Sequence, residues 1–172
     1  MTFWNADFDN RIKKRIVCNT TTLAANNTTA SVDIFELTGS VYVTRLWGIV
    51  TTVISTNIDA VHLRLDDGST QVTMTGVAGV DISAFEAGSL LTKELIATGL
   101  LIISQADQPR LSEPNSTAAM PGFTDSCYVA NPAATTDIEV RFSTTDAPSS
   151  GAIEWFAEWV PLSDDGNLAV SS

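Results

Sequence analysis

The chain has 172 residues, enough for one domain to bury a core without a metal ion or a disulfide. Its net charge is −11, and beyond residue 15 it holds 18 acidic and 5 basic residues. Contact with a phosphate backbone requires clustered lysine and arginine, so this balance argues against nucleic-acid binding by the main domain. No stretch approaches the ~20 apolar residues of a membrane-spanning helix, and the first nine residues lack the features of a signal peptide. We therefore expect neither a membrane partner nor export by the standard route.

The first ten residues are predicted to form an extended N-terminal arm. Three aromatic side chains lie in it: Phe3, Trp4 and Phe8. Four basic residues follow closely: Arg11, Lys13, Lys14 and Arg15. Exposed aromatic side chains at a terminus are costly unless they dock. The arm either packs on the core of its own chain or inserts into a neighbouring subunit. The basic cluster is either a solvated strand face or a segment that docks on an acidic neighbour.

Valine, isoleucine, threonine and aromatic residues dominate the first half of the chain, which is typical of strands. Strands are predicted at 11–18, 32–37 and 41–55. Residues 19–30 show no clean period and are predicted to be irregular. Gly39 is expected to break the strand pattern and Gly48 to mark a bulge or bend. Arg45 lies among apolar neighbours, so it requires a carboxylate partner or a wet edge.

A hairpin is predicted from residues 59–65 and 70–75. The first arm alternates, with Val61, Leu63 and Leu65 inward and His62 and Arg64 outward, and the second arm returns with Val72 and Met74 inward. The Asp-Asp-Gly sequence at 66–68 is typical of a hairpin turn. The same tripeptide recurs at 164–166, and both offer oxygen ligands for calcium, although neither fits the EF-hand spacing.

The middle of the chain is less regular. Residues 89–98 fit either a helix ending at Gly99 or a strand that turns into 100–103, and we favour the strand because its neighbours are strands. Prolines make 105–121 a long loop, and a short strand is predicted at 126–130.

The C-terminal part is predicted to be a hairpin of residues 137–142 and 152–160, forming the central pair of a sheet. In its second arm one face carries four apolar residues: Ile153, Trp155, Ala157 and Trp159. The other face carries Glu154, Phe156 and Glu158. Pro161 should end the strand because it has no N–H to donate. The polar tail beyond it is expected to fray.

Together these segments predict an all-β fold, an antiparallel β-sandwich resembling a jelly roll with an extended N-terminal arm. The predicted organisation is an arm at 1–10, a β-sandwich domain at 11–163 and a flexible tail at 164–172.

Residues able to carry catalysis are scarce. His62 is the only histidine, and it is predicted to be a solvated strand residue. Cys18 and Cys127 lack metal-binding spacing and are expected to be buried small apolar residues, with a disulfide between them left open. Glu154 and Glu158 are the best carboxylate pair for a glycosidase, but strand alternation accounts for them and sets them ~13 Å apart at Cα. We expect no enzyme activity, no cofactor and no metal site.

The C-terminal strand carries a family resemblance. Residues 151–166, read Gly-Ala-Ile-Glu-Trp-Phe-Ala-Glu-Trp-Val-Pro-Leu-Ser-Asp-Asp-Gly, resemble the closing segment of small tailed-bacteriophage virion proteins. Those proteins end in a glycine, an apolar-aromatic strand, an aromatic-x-Pro-Leu/Ile-Ser step and a polar Asp/Gly tail. Trp159 stands where tyrosine is commoner in the family. The similarity of the 19–30 and 41–55 segments to such proteins is one of composition.

The resemblance implies a capsid decoration or cement protein of the virion, assembled in the host cytoplasm. The implied partners are the major capsid protein or other virion proteins, and further copies of the chain, with a trimer favoured. The partner-binding hypothesis comprises the arm, the basic cluster and one strand residue: Phe3, Trp4, Phe8, Arg11, Lys13, Lys14, Arg15 and Phe156. Two alternatives remain open, a phage tail component and a carbohydrate-binding β-sandwich. The second alternative predicts that Trp155 or Trp159 is exposed for stacking on sugars.

Overall fold

A computed structural model describes residues 15–23, 29–55, 57–74, 81–93, 101–104, 127–144 and 150–171. The described residues form nine strands in one antiparallel sheet, with no helix among them. The strands are β1 (Arg15–Thr22), β2 (Thr29–Thr52), β3 (Ile58–Asp66), β4 (Gln71–Thr73), β5 (Leu90–Lys93), β6 (Leu101–Ser104), β7 (Cys127–Thr144), β8 (Ala152–Pro161) and β9 (Asn167–Val170). The all-β prediction is confirmed. The predicted arm at 1–10 and the loop at 105–121 lie outside the described residues.

The sheet is organised around β2, a strand of 24 residues. The main strand order is β1-β8-β2-β7-β3-β4, so β2 lies between β7 and β8. The prediction that 137–142 and 152–160 pair with each other is therefore wrong. Alternation identified both as strands, but it carries no information about which strand is the neighbour. A strand as long as β2 offers each of them a pairing edge of its own.

The pairing along both edges of β2 is interrupted near Gly39, and we call this part of the sheet the corner. The β2–β7 register shifts between Leu37 and Gly39, and on the other edge β8 ends at Pro161 before β9 resumes at Asn167. Gly39 has φ +62°, a conformation that side chains disfavour. β2 continues through Gly39, so the predicted strand break there is wrong. Bulges of this kind bend a strand.

The corner divides the sheet into two parts. The first half-sheet contains β9, residues 29–38 of β2, the 136–144 part of β7, β3 and β4. The second half-sheet contains β1, β8, residues 41–52 of β2, the 127–131 part of β7, β5 and β6.

The predicted flexible tail at 164–172 is wrong for residues 167–170, which form β9 against β2. Leu168 is buried, and the backbone N–H of Ser171 donates to the carbonyl of Ile34. β8 ends at Pro161 as predicted. The turn that follows is closed by the N–H of Gly166 donating to Ser163 O at 3.0 Å, and this turn returns the polar tail to the edge of β2.

Buried apolar side chains from both half-sheets form one core cluster. β8 alternates as predicted, because Ile153, Trp155, Ala157 and Trp159 are all buried. The β3–β4 hairpin forms as predicted, although Val72 of β4, predicted to point inward, is 54% exposed. Val61 and Leu63 of β3 are buried as predicted. These side chains define the inner face of the sheet.

Several local predictions change. Residues 19–22 belong to β1 and are not irregular. Cys18 is exposed and free, so its predicted burial is wrong; it faces outward because its neighbours Val17 and Asn19 take the inward positions. The strand interpretation of residues 89–98 is confirmed for Leu90–Lys93. The predicted short strand at 126–130 is the start of the 18-residue β7.

Candidate functional site

The outer surface of the second half-sheet carries a group of apolar side chains that we call the aromatic face. It comprises Ile16 and Cys18 of β1, Tyr42, Trp47 and Ile49 of β2, and Phe156 and Val160 of β8. Strand alternation places them there, since every second residue of β8 points into the core. All are half-buried or exposed, and Ile16 is 66% exposed. The face is therefore apolar but open to contact.

The centre of this face is a pair of stacked rings. Phe156 lies directly opposite Trp47 across the β2–β8 ladder. Their ring centroids are 5.3 Å apart, and the ring planes differ by 8°. On the other side Phe156 is opposite Cys18 of β1, so a row runs from the exposed thiol to the two rings. Flat aromatic groups of this kind are common anchors in protein interfaces.

Charged side chains border the rings on the same face. Glu154 and Glu158 lie two residues before and after Phe156 on β8. Glu158 accepts a hydrogen bond from Thr44 Oγ1 at 2.5 Å. Arg45 is exposed and opposite Glu158 in the ladder, beside a register shift between Val43 and Arg45. The expectation of a carboxylate neighbour or a wet edge for Arg45 is confirmed.

The register shift at Val43/Arg45 decides which aromatics share the face. Tyr42 and Trp47 are five residues apart, so simple alternation would place them on opposite faces. In the ladder they are opposite Val160 and Phe156, which lie on one face of β8. Sequence reasoning identified Phe156 but missed Tyr42 and Trp47, because the extra residue of a bulge reverses the alternation and leaves no clear mark in the sequence.

The two tryptophans of β8 have an inner, structural role. Trp155 is fully buried, and its Nε1–H donates to Thr21 Oγ1 at 3.0 Å. Trp159 is 3% exposed. The prediction that one of them is exposed for stacking on sugars is therefore wrong. A Cβ at Gly48 would approach the Trp155 ring to 2.8 Å, so this glycine permits close packing and does not mark the predicted bulge.

Of the predicted partner-binding residues, the structure describes two. Phe156 lies at the centre of the aromatic face, and the backbone of Arg15 pairs with Trp159 at the start of β1. The other predicted residues lie outside the described ranges: Phe3, Trp4, Phe8, Arg11, Lys13 and Lys14.

The outer face of the first half-sheet has a different chemistry. A row of three carboxylates crosses it, with Glu36 opposite Asp137 and Asp137 opposite Asp66. Burial, followed by repulsion from Asp33, Glu36 and Asp66, raises the pKa of Asp137 above its ordinary 3.8. Like charges on adjacent strands repel, and this row therefore opposes the pairing of the three strands that carry it, β2, β7 and β3.

A buried ion pair lies next to that row. Arg64 and Glu139 are 8% and 3% exposed, and Arg64 Nε donates to Glu139 Oε1. Arg64 also donates to Gln71 Oε1 at 2.6 Å and Ser31 Oγ at 3.0 Å. Burial, then Arg141, lowers the pKa of Arg64, while Asp66 and Asp33 act in the opposite direction. Arg64 was predicted to face outward, and it does so, but its partners cover it.

The residues considered for catalysis or calcium have local roles where they are described. His62 Nδ1 lies 2.9 Å from the carbonyl oxygen of Ala60. In the first Asp-Asp-Gly turn, Asp66 Oδ1 accepts from Gly68 N, and Asp67 Oδ1 accepts from the backbone N–H groups of Ser69 and Thr70. These bonds lower the pKa of Asp67. No group of three histidine, cysteine or acidic residues able to hold a metal ion occurs among the residues described.

Comparison with known proteins gives no identification, since no protein-family model and no curated protein matches the chain. Within the described ranges there is no helix long and apolar enough to cross a membrane. The geometry of the aromatic face is therefore the main structural guide to function.

Proposed function

We propose that the chain is a non-enzymatic structural protein of a tailed-phage virion, a decoration or cement protein that binds and stabilises the capsid. The Phe156–Trp47 stack carries this proposal, because it places flat apolar surface on the outer side of the strand whose sequence resembles phage virion proteins. A low charged fraction of 17% is consistent with a surface that makes standing protein contacts.

The finer fold proposed is a β-sandwich in which the two half-sheets pack face to face. One core cluster draws on both half-sheets, which supports this arrangement. Asn19 Nδ2 of β1 donates to the carbonyl of Ile34 in β2 at 2.7 Å, linking the outer edge of one half-sheet to the other. Strands that pass from one layer to the next through bulges are known in sandwiches whose sheets cross.

The proposed partner surface combines the N-terminal arm, the basic cluster and the aromatic face around Phe156. The partners are the major capsid protein or another virion protein, and further copies of the chain, with a trimer favoured. The location would be the virion, assembled in the host cytoplasm. A stacked ring pair contributes more binding energy when a partner removes it from water than scattered polar contacts do.

The test is co-sedimentation of the purified chain with phage heads assembled without it. The full chain should sediment with heads, while Phe156→Ser and a chain lacking residues 1–10 should stay in the supernatant with unchanged circular dichroism. Val72→Ser is the matched control, because Val72 is 54% exposed on β4 in the other half-sheet. It should bind as the unaltered chain does.

Purified tails serve as the second binding target. Binding to tails and not to heads would favour the alternative of a tail component, and binding to neither would refute a virion role. Light scattering over a dilution series gives the oligomeric state in the same samples, where a stable trimer is the expected result.

A further inference from the structure

Half of the backbone polar groups of β1 point away from the sheet. The N–H of Leu23 donates to the carbonyl oxygen of Gly151 at 2.9 Å, in the same register that pairs Arg15 with Trp159. In an antiparallel pair, residues bonded in this way alternate with residues whose N–H and C=O groups face the other side. The outward backbone groups therefore belong to the even-numbered residues of β1: Ile16, Cys18, Thr20 and Thr22.

No described strand lies beside these groups. β1 ends the main strand order, and β8 is the only strand of the described ranges that pairs with it. The four residues that carry the groups are all exposed. A row of N–H and C=O groups at strand spacing is completed by another extended segment, which pairs with it as one more strand.

β1 also lacks the features that usually protect an exposed edge. Edge strands are commonly very short, or carry lysine, proline or a bulge. Residues 16–23, Ile-Val-Cys-Asn-Thr-Thr-Thr-Leu, hold no charged residue and no proline, and their register against β8 has no shift. Five of these eight residues are β-branched, which favours the extended conformation. By contrast β4, at the other end of the strand order, is three residues long.

The side chains along the β1 edge specify the chemistry of an incoming strand. Ile16 and Cys18 belong to the aromatic face, and Cys18 is opposite Phe156. Apolar residues opposite these two would cover the exposed Ile16 and extend the apolar surface around Phe156. Thr20 is opposite Glu154. A basic residue opposite Thr20 would lie two strand spacings, ~10 Å, from the backbone of Glu154, a gap that the two long side chains span.

We propose that the virion partner binds by adding one antiparallel strand to the β1 edge, with the pattern basic-x-apolar-x-apolar from the residue opposite Thr20 to the residue opposite Ile16. Strand addition rests on the proposed function, because it names the form of the segment that the partner supplies. Every strand pair described in the sheet is antiparallel. The net charge of −11 favours a basic segment of another protein over a second copy, whose own β1 has no basic residue from 16 to 23.

A synthetic peptide tests strand addition without phage particles. The probe is Thr-Lys-Thr-Phe-Thr-Val-Thr, whose lysine, phenylalanine and valine fall opposite Thr20, Cys18 and Ile16. In an NMR titration of the full chain, the amide resonances of these three residues should shift most, because their N–H groups become bonded. The amide of Val17, which is on the β8 side of the strand, should shift less. Absence of saturable binding would overturn the proposal.

Single N-methyl groups on the peptide separate strand addition from general apolar contact. The N–H of the peptide phenylalanine faces β1 in this register, and the N–H of the threonine after it faces away. N-methylation of the phenylalanine should weaken binding by about tenfold, whereas N-methylation of that threonine should change it by less than about twofold. Glutamate in place of the lysine should weaken binding by about threefold at low salt. Equal affinity of the two N-methyl peptides, or of the lysine and glutamate peptides, would overturn the assignment.

Thr20→Pro carries the test to the particle. Proline removes an N–H that points away from β8, so it blocks the edge and leaves the β1–β8 bonds in place. Thr73→Pro on β4 is the matched control, because the bond from Met74 N to Leu63 O places the N–H of Thr73 on the side away from β3. With unchanged circular dichroism, Thr20→Pro should lose co-sedimentation with phage heads, and Thr73→Pro should keep it.

The outcomes separate strand addition from the proposed function. Heads that bind Thr20→Pro as well as the unaltered chain would overturn strand addition and leave the virion role standing. Peptide binding without binding to heads or tails would uphold a strand-accepting edge and refute the virion role. Loss of self-association in Thr20→Pro by light scattering, with head binding intact, would assign the edge to a second copy and overturn the choice of partner.

Discussion

The two half-sheets share β2 but differ on their outer faces. In the first, charged side chains satisfy one another, with Arg64 buried against Glu139 and bonded to Gln71 and Ser31. In the second, Phe156 stacks on Trp47 and remains half-buried beside the exposed Ile16. The first face is thus charged, with the Arg64–Glu139 pair compensated beside a row of carboxylates that repel one another, and the second keeps apolar surface in contact with water. The difference indicates where a partner would gain most by binding.

Both faces are built on the single strand β2. The alternation of buried and outward residues along β2 changes at two of its register shifts, Asp33/Phe35 and Val43/Arg45, and continues unchanged through the shift at Leu37/Gly39. Glu36 therefore lies in the carboxylate row of the first half-sheet, whereas Tyr42 and Trp47 lie together on the aromatic face. Local backbone irregularity, more than composition, decides which chemistry each face presents.

Glu139→Ala tests the compensated face and should have the largest effect. It leaves the Arg64 guanidinium buried without its closest counter-charge, which costs about 3–5 kcal/mol of the free energy of unfolding. Urea denaturation measures the change. The double variant Arg64→Leu/Glu139→Leu removes both charges and should recover most of that loss. A double variant as unstable as Glu139→Ala would show that the pair itself, and not the stranded charge, stabilises the fold.

Gly166→Ala tests the corner between the two faces. An added Cβ would overlap the backbone carbonyl oxygen of Ser40, so β2 or the 162–166 turn must shift. We expect a loss of roughly 2–3 kcal/mol in the free energy of unfolding and faster hydrogen exchange in β9.

Gly68→Ala is the control for this change, because open space surrounds that position and only the backbone strain of its positive φ, about 1 kcal/mol, should be felt. Unchanged exchange in β9 of Gly166→Ala would refute a role for this turn in holding the tail.

The stack itself is tested by a double-mutant cycle on Phe156→Ala and Trp47→Ala. Because the rings touch and are only half-buried, their coupling energy should be about 0.5–1.5 kcal/mol. Chemical denaturation of the four proteins gives the value. A coupling near zero would mean that the rings are neighbours without interaction, and would weaken the case that the face is a preformed anchor.

The sequence predicted features that depend on near neighbours. Alternation placed Trp155 and Trp159 on the apolar face of β8, and the Asp-Asp-Gly turn identified the β3–β4 hairpin. It could not predict that β2 separates β7 from β8, since strand adjacency depends on distant pairing. The tail was predicted to fray because it is polar and residues 164–166, Asp-Asp-Gly, are typical of a turn. That pattern does not reveal β9, which follows directly and pairs with β2.

The same limit applies to the candidate site. Phe156 was identified from the alternation of its own strand, but Trp47 required knowledge of a bulge. The Arg64–Glu139 pair joins residues 75 positions apart, so neither residue reveals the other in the sequence.

The smallest expected effect comes from the carboxylate row, through Asp137→Asn. The pKa of Asp137 is raised in the folded chain, so the folded state binds this proton more tightly than the unfolded state does. The resulting penalty is absent below the unfolded pKa of about 3.9 and develops as pH rises through the folded pKa. Asparagine removes the charge, so the variant should be more stable at pH 7 by about 0.5–1 kcal/mol, with no advantage in acid.

Asp67→Asn provides the opposite case on the same half-sheet. Backbone N–H groups of Thr70 and Ser69 lower the pKa of Asp67, so its charge stabilises the fold above the unfolded pKa, and that contribution is lost as pH falls through the folded pKa. Its replacement should reduce stability at neutral pH and leave it unchanged in acid. Thermal melts of both variants between pH 3 and 7 should therefore diverge from the unaltered chain in opposite directions. If both diverged in the same direction, the net charge of the chain, and not the local surroundings of each carboxylate, would control the stability of this face.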